Sequence, residues 1–306
     1  MRVAVVDIGT NSTRLLVADV RDGRLTELER RTTVTRLGEG VDASGRLGEA
    51  PQQRVFATLA GYAETIERLG AERRVAAMTS AVRDAANGAG FAEAVRERFG
   101  LQARTLSGDE EARLTYLGAT AARNPQDAAP RLVVDVGGGS TELVIGARDR
   151  VQFHTSTQAG VVRHTERHLG SDPPRPEELE ALAADVRGVL DAAVPAVEWD
   201  VPEAAVAVAG TATSCAAIDL ELDPYDPAKV EGHVLSLERL GDLLSRLAAM
   251  PLAERRRVPG LHPDRAPTIV AGVVILTTVL RHFGLDATEV SECDILWGAA
   301  LDAARG

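Results

Sequence analysis

Cysteine is almost absent from this chain: Cys215 and Cys293 are the only two in 306 residues, and neither belongs to a CxxC or other ligand-like spacing. That excludes a disulfide framework and predicts reduced thiols in a cytoplasmic protein without a cysteine-built zinc centre. Lysine is scarcer still, with Lys229 alone, so side-chain cation chemistry falls to arginine. Positive charge is in deficit, the formal net charge being −11. No broad nucleic-acid surface is expected on that balance, and a polyanionic ligand would need a local cluster of donors or a metal. Long hydrophobic runs are missing too. The longest apolar stretch, "TIVAGVVILTTVL" at 268–280, is too short to span a bilayer and reads as a buried helix. The N-terminus reads as a strand interrupted by Asp7 and Gly9, not as a signal peptide, so no membrane partner is expected. The chain also lacks a GxSxG elbow, a GxxxxGK[ST] P-loop and a GxGxxG with its acidic follower, which leaves a serine or cysteine nucleophile without support. The six histidines are read as forming no zinc centre.

What is present is a repeat. "VVDIGTNSTRLL" opens at Val5 and "VVDVGGGSTELV" at Val133: an apolar run ending in Asp, a glycine turn with small hydroxyl residues, then a second apolar run. At this length, with 45% hydrophobic and 26% charged residues, the chain can fill two cores. The polar stretch "RNPQDAAPR" at 123–131 is the best linker, which predicts domains at 1–126 and 127–306, with the last helix free to pack back on the first domain. After each hairpin, strand and helix patterns alternate. Val55, Leu59, Tyr62 and Ile66 keep helical spacing up to a capping Gly70; Leu179, Leu182, Val186 and Leu190 do the same after "DPPRP". "AERRR" at 253–257 reads as a solvated helix end. The pattern is a duplicated α/β architecture with a cleft between its halves.

The paired turns carry the chemistry. Gly137, Gly138 and Gly139 can bring backbone N–H groups close to phosphate, while Thr10, Asn11, Ser12, Ser140 and Thr141 add hydroxyl or amide groups. Asp7 and Asp135, at the strand ends, suit a hydrated Mg²⁺ held through few carboxylates and substrate phosphate. The plain alternative is a tight turn with a turn-favouring Asp, although two copies weigh against it. Ser107 and Glu110 form a capping box, which gives Glu110 a structural task. Glu111, next in the first turn, is then available to orient a water, or is one more acidic first-turn residue. Arg83 and Asn87 lie four apart, on one face if "SAVRDAANG" is helical, and Arg83 there could offset phosphoryl charge or simply face solvent. "AGTATS" at 209–214 repeats the phosphate-turn chemistry with Gly210, Thr211 and Thr213.

Taken together, "VDIGTNSTRLLVADV", "TSAVRDAAN", "SGDEEARLTYLG", "VVDVGGGSTELVIG", "GVVRHTER", "AGTATS" and "VSECDIL" resemble the exopolyphosphatase/guanosine pentaphosphate phosphatase family of the actin-like superfamily, along nearly the whole chain. The resemblance is to the short, two-domain type. It implies two actin-like (ribonuclease H-like) α/β domains with a cleft between them. It also implies Mg²⁺-dependent (or Mn²⁺-dependent) release of terminal phosphate from inorganic polyphosphate, of short chains given the missing helical domain, or from guanosine pentaphosphate. By the same resemblance Glu111 activates the water, Arg83 and Asn87 belong to the site, and Asp135, Glu142 and the glycines of the second loop bind metal and phosphate. It allows a homodimer, for which the sequence shows no interface stripe. Two departures stand out: Pro267 replaces an acidic residue, and His164 stands where an apolar residue is usual. An actin-like sugar kinase and a non-catalytic polyphosphate or alarmone sensor are the rival readings.

Overall fold

The computed structural model describes residues 1–121, 129–148, 150–195 and 199–305. Two compact units divide the chain: Met1–Ala121 together with Asp294–Gly306, and Ala122–Cys293. The boundary expected at 126/127, and most of the expected linker, lie outside the described residues. The closing segment from Asp294 belongs with the first unit.

The first unit is built on β1 (Arg2–Ile8), β2 (Ser12–Arg21), β3 (Arg24–Val34), β4 (Arg73–Met78) and β5 (Gln102–Thr105). Their order is β3-β2-β1-β4-β5, an antiparallel meander followed by two strands parallel to β1. Asp22 and Gly23 join β2 to β3 with φ of 51° and 75°, the left-handed pair that a two-residue hairpin needs. From Val3 to Ile8 β1 is buried on both sides, because both faces of the sheet are covered. Ala4, Val6 and Ile8 pack with helices Glu49–Leu69 and Gly88–Phe99. Val3 and Val5 pack with helices Gly108–Thr120 and Ile295–Ala303. The first of these helices stops at Gly70, whose φ is 67°, as its spacing predicts.

Helices Gly108–Thr120 and Ile295–Ala303 cross glycine on glycine. A Cβ on Gly118 would strike the backbone of Asp294 and Gly298, and one on Gly298 the backbone of Leu114 and Gly118. This close approach docks the last helix on the first unit.

The second unit carries β6 (Arg131–Val136), β7 (Thr141–Ala147), β8 (Arg150–Thr157), β9 (Ala204–Val208), β10 (Val234–Ser236) and β11 (Ala287–Ser291), ordered β10-β11-β9-β6-β7-β8. With β10 set aside, strand order and directions repeat those of the first sheet. The recurring hairpin is thus the opening of one sheet built twice. Pro176 starts helix Pro176–Ala193, which buries Leu182, Val186 and Leu190. Helix Ile269–His282 is buried at every position through Leu280, as its uniform apolar run requires. The solvated helix end expected at 253–257 is found at 253, 254, 256 and 257, and needs correction only at Arg255. Arg255 is buried and donates to the carbonyls of Met250 (2.8 Å), Leu247 (3.0 Å) and Ala266 (3.3 Å), so it is an internal clamp. Among the described residues no helix is long and apolar enough to cross a membrane.

Candidate active site

The two hairpin turns are superimposable in their bonding. The Gly9 N–H donates to the Ser12 carbonyl at 3.0 Å, and the Gly137 N–H to that of Ser140 at 2.9 Å. Register then pairs Asp7 with Arg14 across β1–β2, and Asp135 with Glu142 across β6–β7. A carboxylate faces a guanidinium in the first copy and another carboxylate in the second. That single exchange gives the two turns different charge.

In the first unit, Arg14 donates to Asp7 Oδ2 from Nη2 (2.6 Å) and Nε (2.9 Å), and from Nη1 to Asp294. Asp294 Oδ1 in turn caps the final helix, accepting from the Leu296 N–H at 2.9 Å. Asp7 Oδ1 is buried without a hydrogen-bond partner, and burial pushes this carboxyl above its ordinary pKa against the pull of Arg14. Asp7, expected as a metal ligand, is thus paired with the Arg14 guanidinium through Oδ2. In the turn itself the Thr10 carbonyl accepts from Gly38 (2.8 Å), and the Asn11 carbonyl from Arg36 (2.8 Å) and Thr35 (3.0 Å). The Thr10 hydroxyl shares a hydrogen bond with Ser80 at 3.0 Å, Asn11 is exposed and Ser12 half-buried.

Helix Gly108–Thr120 begins with the expected capping box. The Glu110 N–H donates to Ser107 Oγ at 3.2 Å, and the Ser107 N–H donates to Glu110 Oε2 at 2.9 Å. The Ser107 N–H holds the Glu110 carboxyl below its ordinary pKa. Glu111, one residue on, turns to a different partner. Its Oε2 accepts from Arg83 Nη1 at 3.0 Å, and its side chain is 15% exposed. Arg83 also donates to the Leu106 carbonyl at 3.1 Å, which fixes the guanidinium. Asn87 is not brought to this pair. Helix Ser80–Asp84 ends before it, Ala85 is extended, and the Asn87 amide clamps Leu47, accepting from its N–H (2.8 Å) and donating to its carbonyl (3.0 Å). The shared helical face expected of Arg83 and Asn87 is corrected accordingly.

In the second unit the glycine turn is aimed by helix Val161–His168. The carbonyls of Gly137 and Gly138 accept from the N–H groups of Val161 and Val162, both at 2.9 Å, and that of Gly139 from Arg163 Nε at 3.2 Å. A trans peptide sets N–H opposite C=O, so the N–H groups of Gly138, Gly139 and Ser140 face away from that helix. Successive N–H groups turned one way make an anion-binding concavity. Gly160 is required for this approach, since a Cβ there would run into the backbone of Gly138 and Gly139. Beside the turn, Glu142 Oε1 accepts from the hydroxyls of Ser140 (2.6 Å) and Ser156 (2.9 Å). Its Oε2 lies 3.9 Å from where a Cβ on Gly137 would stand.

Helix Ala209–Asp219 starts directly after β9, whose Val208 is in register with Asp135. The Thr211 hydroxyl donates to the Val136 carbonyl at 2.9 Å, and Arg265 donates to the Gly210 carbonyl. A side chain at Gly210 would collide with that guanidinium. Gly210 and Thr211 thus seat the helix N-terminus and Arg265 beside the ends of β6 and β9, where both favour an anion. Arg265 carries no signal in the sequence, because Gly210 and Ser214, to which it donates, lie 55 and 51 residues away. Asp135 and Glu142, side by side next to the outward N–H groups, fit a hydrated Mg²⁺, which takes one or two carboxylates and substrate phosphate. Cys215 is no nucleophile, since burial pushes its thiol up to about 12.

The reading of the histidines needs correction at one place. "HTERH" puts His164 and His168 four apart on helix Val161–His168, and Asp185 on helix Pro176–Ala193 reaches both.

The doubled sheet places the chain among two-domain α/β proteins of the actin-like fold. The Ppx/GppA phosphatase family matches residues 16–300, and the chain belongs to it, as a phosphatase. Exopolyphosphatase 2 of Mycobacterium tuberculosis is 37% identical over 99% of this chain and 98% of its own length. Exopolyphosphatase 1 of Mycobacterium bovis is 31% identical over 95% of this chain and 84% of its own. Among solved structures, the Aquifex aeolicus Ppx/GppA family member aligns with a TM-score of 0.84 at 32% identity, covering 100% of this chain and 98% of that one. An exopolyphosphatase from Cytophaga hutchinsonii aligns at 0.87 with 26% identity, covering 99% and 98%.

Proposed function

We propose that this phosphoanhydride hydrolase releases the terminal phosphate of inorganic polyphosphate. The observation that carries this reading is the Asp135–Glu142 pair at the edge of an outward-facing glycine turn. The homologues named exopolyphosphatase support the substrate class. Asp135 and Glu142 would hold Mg²⁺ or Mn²⁺, with Ser140 and Ser156 orienting Glu142. A metal bound there supplies neutralisation of the phosphate oxygens. The N–H groups of Gly138, Gly139 and Ser140 take further oxygens. Glu111 orients the attacking water and accepts its proton, and Arg83 fixes the Glu111 carboxylate while adding positive charge toward the transferring group. Positioning and electrostatics suffice, with no covalent intermediate.

The test is phosphate release with Mg²⁺ from short polyphosphate, long polyphosphate and guanosine pentaphosphate at matched end-group concentration, with an EDTA control. Fastest release from polyphosphate, abolished by EDTA, is the expected result. Release mainly from the nucleotide would overturn the substrate assignment; tight binding without turnover of any of them would make the protein a sensor.

A further inference from the structure

We propose that His164, His168 and Asp185 form a second metal site, for a zinc-class transition ion, that ties helix Val161–His168 to helix Pro176–Ala193. His164 is wholly buried, and its Nδ1 lies 3.2 Å from the Gly160 carbonyl. A carbonyl only accepts, so Nδ1 carries the hydrogen and Nε2 presents a lone pair. That Nε2 is buried, has no hydrogen-bond partner and lies 3.6 Å from Asp185 Oδ2. His168 Nε2 reaches the same oxygen at 2.8 Å, and the three ligand atoms lie within 4.8 Å of one another. Zinc bonds of about 2.0–2.1 Å at tetrahedral angles separate ligand atoms by roughly 3.3 Å. One of the two distances to Oδ2 is therefore already near that value, and the other must open by about 0.5 Å.

The surroundings meet the other requirements of a metal site. A backbone carbonyl on the far ring nitrogen is the usual device for fixing a ligating histidine in one tautomer. Burial holds the His164 pKa below its ordinary value, which keeps the ring neutral and able to ligate. On binding, His168 moves its Nε2 hydrogen to Nδ1. Arg167, which donates to Asp185 Oδ2 at 2.9 Å, lets go of that oxygen. His168 and Asp185 are 16% and 29% exposed, so an ion arrives from solvent and keeps water in its fourth position, with His164 as the floor. Two imidazoles and one carboxylate suit zinc and its neighbours better than Mg²⁺, which demands oxygen donors. The same helix bears on the glycine turn through Val161 and Val162, so the ion would brace the phosphate loop from behind.

The experiment titrates EDTA-stripped full-length protein with Zn²⁺ by calorimetry, and with Co²⁺ by visible absorption. The wild type is compared with His168→Gln and Asp185→Asn. One ion per chain is expected, with the intense visible band of four-coordinate Co²⁺. Affinity should fall on the order of a hundredfold in either variant. Zinc should raise the unfolding midpoint of the wild type by several degrees and leave the variants where they were. His168→Gln removes a largely buried ring, so its fold is checked by circular dichroism; Asp185→Asn serves if it fails. No saturable binding by the wild type, or binding by both variants as tight as that of the wild type, would overturn the site.

Discussion

Glu110 and Glu111 show how adjacent, chemically identical residues are given different work. The first closes a capping box with Ser107; the second meets Arg83 on another side of the helix. Glu111→Gln should keep the fold and substrate binding while lowering turnover by roughly 10²–10⁴-fold, the scale of a positioned general base. Phosphate release beside an equilibrium binding assay checks this, and unchanged turnover would remove Glu111 from the mechanism. Ser107→Ala should cost about 1 kcal/mol of stability at neutral pH. The pH dependence of the capping box belongs to Glu110, through the Ser107 N–H. A carboxyl whose folded pKa is depressed adds stability above its unfolded pKa, and that stability is lost as pH falls through the folded value. The gap between wild type and Glu110→Gln should therefore close below about pH 4, as denaturant melts at a series of pH values would register. The box was legible in the sequence because both partners lie within one turn. The clamp of Asn87 on Leu47 was not, since its partner lies 40 residues away and the intervening helix break depends on the fold.

At the scale of elements, two glycines set distances that no other residue allows. Gly160→Ala should push helix Val161–His168 off the glycine turn and blunt the outward N–H groups. We expect a raised requirement for Mg²⁺ and substrate, with a smaller change in stability, read from activity titrations and thermal melts of the same variant. Gly118→Ala wedges a methyl group between two helix backbones and should cost about 1–3 kcal/mol, measured by urea unfolding. The strands and hairpins could be read from apolar runs and turn residues. The difference between the turns could not be weighed without register: Arg14 and Glu142 stand at equivalent letters, yet only cross-strand pairing sets each against its Asp. His164 and His168 were visible as a spacing, while Asp185 joins them only once two helices pack.

For the whole molecule, the chain completes its first unit with its last helix. Removing residues 294–306 should bare the Val3, Val5, Leu16 and Ala18 face and leave Arg14 without Asp294. Hydrogen exchange read by mass spectrometry should then lose protection across residues 1–121 and keep it in the strands and helices of 129–293. Equal loss in both would mean that the units do not fold as separate bodies. Duplication itself was plain from the repeated hairpin, because a β-hairpin and its turn are local. The return of the last helix is a long-range event, written in small residues and apolar positions that many packings would satisfy.

That return fixes an order of events at the ribosome. The strands of the first sheet are made well before residues 294–303, and one face of that sheet stays bare until those residues follow. The second unit is contiguous and can close while the first still waits. At about 5–20 residues per second, the delay is roughly 10–35 s. During that interval the nascent chain displays Val3, Val5, Leu16 and Ala18, and this strip is where a chaperone would hold it.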